Sequence, residues 1–183
     1  MPRRRACALL PISVLLPAML AAQAPRGRHV DVPPAAPRAA DVATVDGIVR
    51  AYYDVITGPA GAPRQWSRDR SLYIPDLRFV ATGVARGRPY AHVMTHQEFV
   101  DQADSGMVRD GFFEHEIHRL TRAYGNIVQV FSTYEERRTA DGPALGRGIN
   151  ALQLFWDGTR WWVASAIWFE EDPERPIPAE FLP

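Results

Sequence analysis

Residues 148–169 do most to limit the folds open to this chain. Two runs of strand-forming residues, 148–156 and 160–169, flank Asp157-Gly158, a dipeptide that marks β-hairpin turns. Strand side chains alternate between the two faces of a sheet. A two-residue turn at Asp157-Gly158 sets Gln153 opposite Trp162, Asn150 opposite Ser165 and Arg147 opposite Trp168. One face then carries Arg147, Gln153, Trp162 and Trp168, and the other carries Asn150, Leu152, Trp161 and Ser165. Both faces are mostly apolar. A sheet with one wet face alternates apolar and polar residues, so this hairpin is expected to be covered on both sides. Helices and a pocket cover one side. The other is covered by a second copy of the chain, making a homodimer through the sheet, or by the proline-rich C-terminus.

The rest of the chain supplies the partners. Val42, Val45, Val49, Tyr52, Tyr53 and Ile56 recur at helical steps and form one apolar face, which Gly58-Pro59 ends. A short helix with Trp66 and Leu72 follows Pro63. Residues 77–83 and 90–94 read as extended. Thr95-His96-Gln97-Glu98 is a capping box opening a helix with Phe99, Ala103 and Met107 on one face. Residues 112–122 and 127–138 add two strands around the Gly125-Asn126 turn. Segregated helices and a run of strands predict an α+β fold.

The N-terminus reads as a cleavable signal peptide over residues 1–24. Arg3, Arg4 and Arg5 precede an apolar stretch, and Ala22-Gln23-Ala24 offers small residues at the cleavage spacing. Pro11 and Pro17 interrupt that stretch, which is shorter than the roughly 20 residues of a membrane span. The implied location is periplasmic or secreted, with no membrane attachment after cleavage. Residues 25–40, rich in Pro, Ala and Arg, read as a disordered linker, residues 41–170 as the domain, and residues 171–183 as a proline-rich tail. The lone cysteine, Cys7, lies in the leader, so the mature chain offers no thiol chemistry. Cleavage leaves 18 basic against 21 acidic residues, a net charge of −3. That balance lacks the basic footprint of a nucleic-acid binder.

The order of elements resembles the nuclear transport factor 2-like superfamily. So does the closing hairpin Gln153-Leu154-Phe155-Trp156-Asp157-Gly158-Thr159-Arg160-Trp161-Trp162-Val163. Arg147-Gly148-Ile149-Asn150 and the tail 176–183 narrow the resemblance to exported bacterial SnoaL-like and DUF4440-like proteins. The resemblance implies a cystatin-like cone, in which a curved antiparallel sheet wraps N-terminal helices and leaves a pocket. It implies no single function, because the superfamily holds isomerases, cyclases, hydrolases, dehydratases and non-catalytic domains.

Site residues follow from strand parity. Glu116 and Glu135 are the candidate general bases, since burial raises a carboxyl toward neutral pH. Tyr52, Trp66, Arg147, Gln153, Trp162 and Trp168 are the candidate binding residues. The opposite face supplies another set, His115, Arg119, Tyr134, Asn150 and Ser165, and parity alone does not choose between them. No metal or cofactor site is read. On a regular strand His115 and His118 point to opposite faces, and Glu114 and His118 lie roughly 13 Å apart.

Three functions fit: an exported pocket protein binding a small apolar or amphipathic molecule; a lyase, isomerase or hydrolase using a buried Glu or His; or an assembly module. An apolar cavity holding one shifted carboxyl favours catalysis, and a dry, closed cone favours assembly.

Overall fold

A computed structural model describes residues 28–183. The leader expected over residues 1–24 lies outside the described residues. Among the described residues are four α-helices: α1 (Ala39–Val42), α2 (Val45–Asp54), α3 (Trp66–Arg70) and α4 (His96–Asp110). Six strands, β1 (Phe79–Ala85), β2 (Arg88–Met94), β3 (Phe113–Tyr124), β4 (Ile127–Arg137), β5 (Gly146–Trp156) and β6 (Trp161–Glu170), form one sheet in the order β2-β1-β6-β5-β4-β3.

The predicted first helix is real but split. Thr44 adopts extended backbone and its hydroxyl accepts from the Gly47 amide, which caps α2 afresh. A methyl on Gly47 would lie 2.5 Å from the Ala40 carbonyl, so glycine lets α1 fold back across α2. Ile48, Ala51 and Val55, on and just after α2, are fully buried in the hollow of the sheet. The capping box of α4 forms, with Glu98 accepting from the Thr95 amide at 2.8 Å.

Two expectations need correcting at the level of the sheet. The β1/β6 junction is parallel, so the sheet is mixed and not wholly antiparallel. The β5/β6 hairpin also has a longer loop than Asp157-Gly158 suggests. Trp156 pairs with Trp161, and the Asp157 carboxylate accepts from the amides of Thr159 and Arg160. A bulge then shifts the register between Gln153 and Leu154, so Gln153 faces Ser165 and Asn150 faces Trp168. Trp162 and Trp168 therefore end on opposite faces.

The stretch read as a disordered linker is docked over its described residues. Val32 is buried, and the Asp101 carboxylate accepts from the Val30 amide at 2.9 Å. The C-terminus covers part of the convex face: Phe181 packs on Phe131, and the Thr133 hydroxyl donates to the Phe181 carbonyl. Phe155 and Ile167 on that face stay exposed.

Arg64, which has no place in the sequence reading, organises the rim of the hollow. It is 6% exposed. Its guanidinium donates to the carbonyls of Gly58, Ala62 and Met107. That ties the loop after α2 to the end of α4, beside the Gly58–Phe112 bridge. Removing it strands several carbonyls at about 1 kcal/mol or more each. Arg64→Met should lower unfolding free energy by roughly 3 kcal/mol in urea titration. An unchanged midpoint would mean water replaces the guanidinium without loss.

Candidate active site

The curvature of the sheet leaves a cavity of about 180 Å³ between α2, α4 and the ends of β3, β4 and β6. One wall is aromatic. Tyr52 meets Tyr73 edge-on at 6.5 Å, Tyr73 meets Phe79 at 5.1 Å, and Phe99 and Trp168 continue the chain at 4.9 and 6.2 Å. These rings come from four separate elements and the loop after α3, and each is oriented by its neighbour's edge. The Tyr73 hydroxyl is occupied behind the wall. It donates to Asp69, which is fully buried and also holds His96 at 2.8 Å.

The opposite wall is acidic. Glu114, Glu136 and Glu170 line the cavity from β3, β4 and β6. Glu114 pairs with Glu136 across the ladder, so the two side chains share the concave face. Space for them comes from glycine in β5. A methyl on Gly146 would come 2.9 Å from Glu170 Oε1 and 3.3 Å from Glu136 Oε1. A methyl on Gly148 would meet Tyr134 Cζ at 2.5 Å and the Phe169 carbonyl at 2.6 Å. Glycine within a strand marks such close approach.

Glu114 is the chemically distinctive group. It keeps surface of its own because it lines the hollow, yet protein surrounds it. Burial, with the like charge of Glu136 second, pushes its carboxyl up from 4.5 to about 8. Burial also raises Glu136, with Glu170 second. The only donor to the Glu114 carboxyl among the described residues is the Asn150 amide, at 3.4 Å.

Asn150 is held by an ordered chain of hydrogen bonds. Its oxygen accepts from Tyr52 at 3.3 Å, and its nitrogen donates to the Tyr53 hydroxyl at 3.2 Å as well as to Glu114. Tyr53, already accepting, donates to Ser132 at 2.7 Å, and Ser132 donates to Glu116. Arg119 clamps Glu116 and reaches Asp46 at 2.6 Å. A carboxylate clamped by arginine accepts only, so the direction of every bond upstream is set. The result is an N–H aimed at Glu114.

Of the residues expected at the site, Tyr52 and Trp168 line the cavity and the other six do not. Glu116 lies on the concave face but is engaged by Arg119 and Ser132, away from the hollow. Glu135 and Arg147 do face each other, on the convex side, where Glu135 pairs with Arg137 and Arg147 with Glu171 at 2.8 Å. Gln153 is exposed and bonds Ser165. Trp162 packs under Arg160 on the convex face, its ring nitrogen donating to Asp157. Trp66 is core, edge-on to Phe99 and bonded to Asp104 at 2.6 Å. Strand parity keeps Glu135, Arg147 and Gln153 together but does not say which face is concave, and the bulges in β3 and the β5/β6 ladder then carry Glu116 and Trp168 to the other face. The one between Glu116 and His118 also returns His115 and His118 to the same side of β3. From the alternative set, Tyr134 and Asn150 reach the cavity.

No family model matches the chain, and no curated protein does. Among solved structures it is similar to LinA, at 7% identity and TM-score 0.53, over 71% of this chain and 85% of that one. It is also similar to a Nostoc punctiforme protein of unknown function with a cystatin-like fold, at 10% identity and TM-score 0.52, over 73% and 96%. A third likeness is a variant of the Mycobacterium tuberculosis protein Rv3472, of unknown function, at 16% identity and TM-score 0.50, over 74% and 75%. These likenesses establish the fold alone: the chain has a cystatin-like α+β fold.

The raised carboxyl makes stability depend on pH. Between 4.5 and about 8 the unfolded chain has ionised at this position while the folded chain still holds the proton. Stability contributed by Glu114 is therefore full below 4.5 and lost as pH climbs through 8. The slope has a ceiling of about 1.4 kcal/mol per pH unit. In urea denaturation from about pH 5 to 8, Glu114→Gln should flatten that decline. A variant with the same slope as the wild type would remove Glu114 as its source.

Proposed function

We propose that this chain is an exported small-molecule enzyme of the lyase or isomerase kind, in which Glu114 moves a proton to or from a ligand held against the aromatic wall. One observation carries the reading. An ionisable side chain stands without a counter-ion in a ligand-sized cavity, facing an aromatic wall. Such placement costs stability and is the pattern of catalytic acids and bases. A general acid or base works best when its pKa lies near the working pH, and a value of about 8 meets that condition. Export is supported by the leader-like residues 1–24.

The cavity sets the scale of the ligand. A cavity of about 150 Å³ admits a benzene ring, so about 180 Å³ suits a single ring with a small substituent. The wall supplies apolar contact. In the base form the Glu114 carboxylate takes a proton from the ligand and becomes the acid. In the acid form it returns that proton, and Asn150 keeps the carboxyl in one orientation throughout.

Proton transfer is tested without knowing the natural substrate. Cyclohexanone and its amine analogue 4-piperidone are single-ring carbon acids, and loss of their α-hydrogens in heavy water is read by NMR. The wild type should accelerate exchange of at least one of them over buffer, with a rate that rises with pH and levels off above about 8. Glu114→Gln should lose the acceleration. Equal rates in the variant and the wild type, or no acceleration of either ketone, would contradict the reading.

A further inference from the structure

We propose that the ligand selected by this cavity is a small organic cation, a protonated amine or quaternary ammonium carried on a ring or short apolar body. The inference rests on the cavity being the ligand site proposed above, and it adds the ligand's charge. Three independent features support it.

The first is charge. Glu114, Glu136 and Glu170 line the hollow, and no arginine or histidine among the described residues does. None of the three makes an ion pair among the described residues, although Asp41, Glu116, Glu135 and Glu171 each do. Arginines at the ends of β4 and β5 are engaged elsewhere: Arg137 with Glu135, Arg147 with Glu171, and Arg138 with Asp110 at 3.8 Å. Arg138 tempers Glu136 only from a distance.

The second is the wall. Aromatic faces carry a negative quadrupole, and a cation over such a face gains about 0.5–2 kcal/mol. Tyr73, Phe79, Phe99 and Trp168 line the hollow, so a cation seated over the face of one of these rings is held by ring and carboxyl together, with room for an apolar body.

The third is an open valence. Glu114 Oε1 accepts the long bond from Asn150, while Oε2 has no hydrogen-bond partner among the described residues and the side chain keeps surface facing the hollow. An acceptor open to the hollow is free to meet a ligand, and an ammonium N–H or a positively charged methyl suits this position. An anion would face three carboxyls. A neutral ligand would leave all three unpaired. A bare metal ion needs several ligands at about 2 Å, and no group of three His, Cys, Asp or Glu among the described residues is spaced to hold one.

The test uses three probes of one shape: benzylamine, benzyl alcohol and benzoate, titrated into the protein by calorimetry at low salt and about pH 8.5, where Glu114 has given up its proton and the amine keeps its own. Benzylamine should bind at least about tenfold more tightly than benzyl alcohol, a difference of about 1.4 kcal/mol, and benzoate should not bind. Glu170→Gln, at an exposed position, and the double variant with Glu136→Gln should shrink that preference while benzyl alcohol binds as before. The neutral probe thus reports that the variant has folded. Benzyl alcohol or benzoate binding as well as benzylamine would overturn the proposal, as would no heat from any probe. Proton transfer to cyclohexanone that depends on Glu114 would survive that result, so the two readings fail separately.

Discussion

The site depends on one interaction: the Asn150 amide donating to a carboxyl that has no counter-ion. Glu114 stands where a charge is unfavourable, and Glu136 beside it makes ionisation harder still. A carboxyl so placed has a proton to give or take near neutral pH only if its surroundings stay dry and its orientation stays defined. Asn150 supplies the orientation. It does so because Tyr52, Tyr53 and Ser132 occupy its other valences and the Glu116–Arg119 pair fixes the sense of the chain. Glu116 is thus a positioning group at the far end of that chain from Glu114, and its own chemistry is taken up by arginine.

The backbone builds this arrangement by omission as much as by contact. Gly146 and Gly148 leave room on β5 for the glutamates and for Tyr134. Bulges in β3 and in the β5/β6 ladder turn Arg119 inward beside Glu116 and Trp168 inward beside Asn150. Arg64 closes the rim by joining the loop after α2 to the end of α4. Behind the aromatic wall, Asp69 holds both Tyr73 and His96, which keeps the Tyr73 hydroxyl out of the hollow.

Much of the scaffold is legible in the chain because it follows from local rules. The apolar face of α2, the capping box at Thr95 and the runs that form β3 to β6 are set by periodicity and by side chains bonding their own backbone. The site is less legible because one extra residue in a strand exchanges its faces. The β3 bulge falls at Ile117, and no local signal there announces it. The Asp157 loop misleads differently: Asp-Gly matches a two-residue turn, yet the Asp157 carboxylate gathers the amides of Thr159 and Arg160 into a longer one. Two clues are present in the sequence. Alternating glycines at 146 and 148 in an otherwise bulky strand point to close approach from a neighbour. Asn150 amid apolar residues demands buried partners.

The claim beneath this account is that the Glu114 carboxyl keeps its proton in neutral solution. Carbon-13 NMR of glutamate-labelled protein, titrated from about pH 4 to 10 with Glu114→Gln to assign the resonance, measures it directly. A midpoint near 8 is predicted. A midpoint near 4.5, the ordinary glutamate value, would mean that the cavity is wet and that Glu114 is an ordinary surface charge.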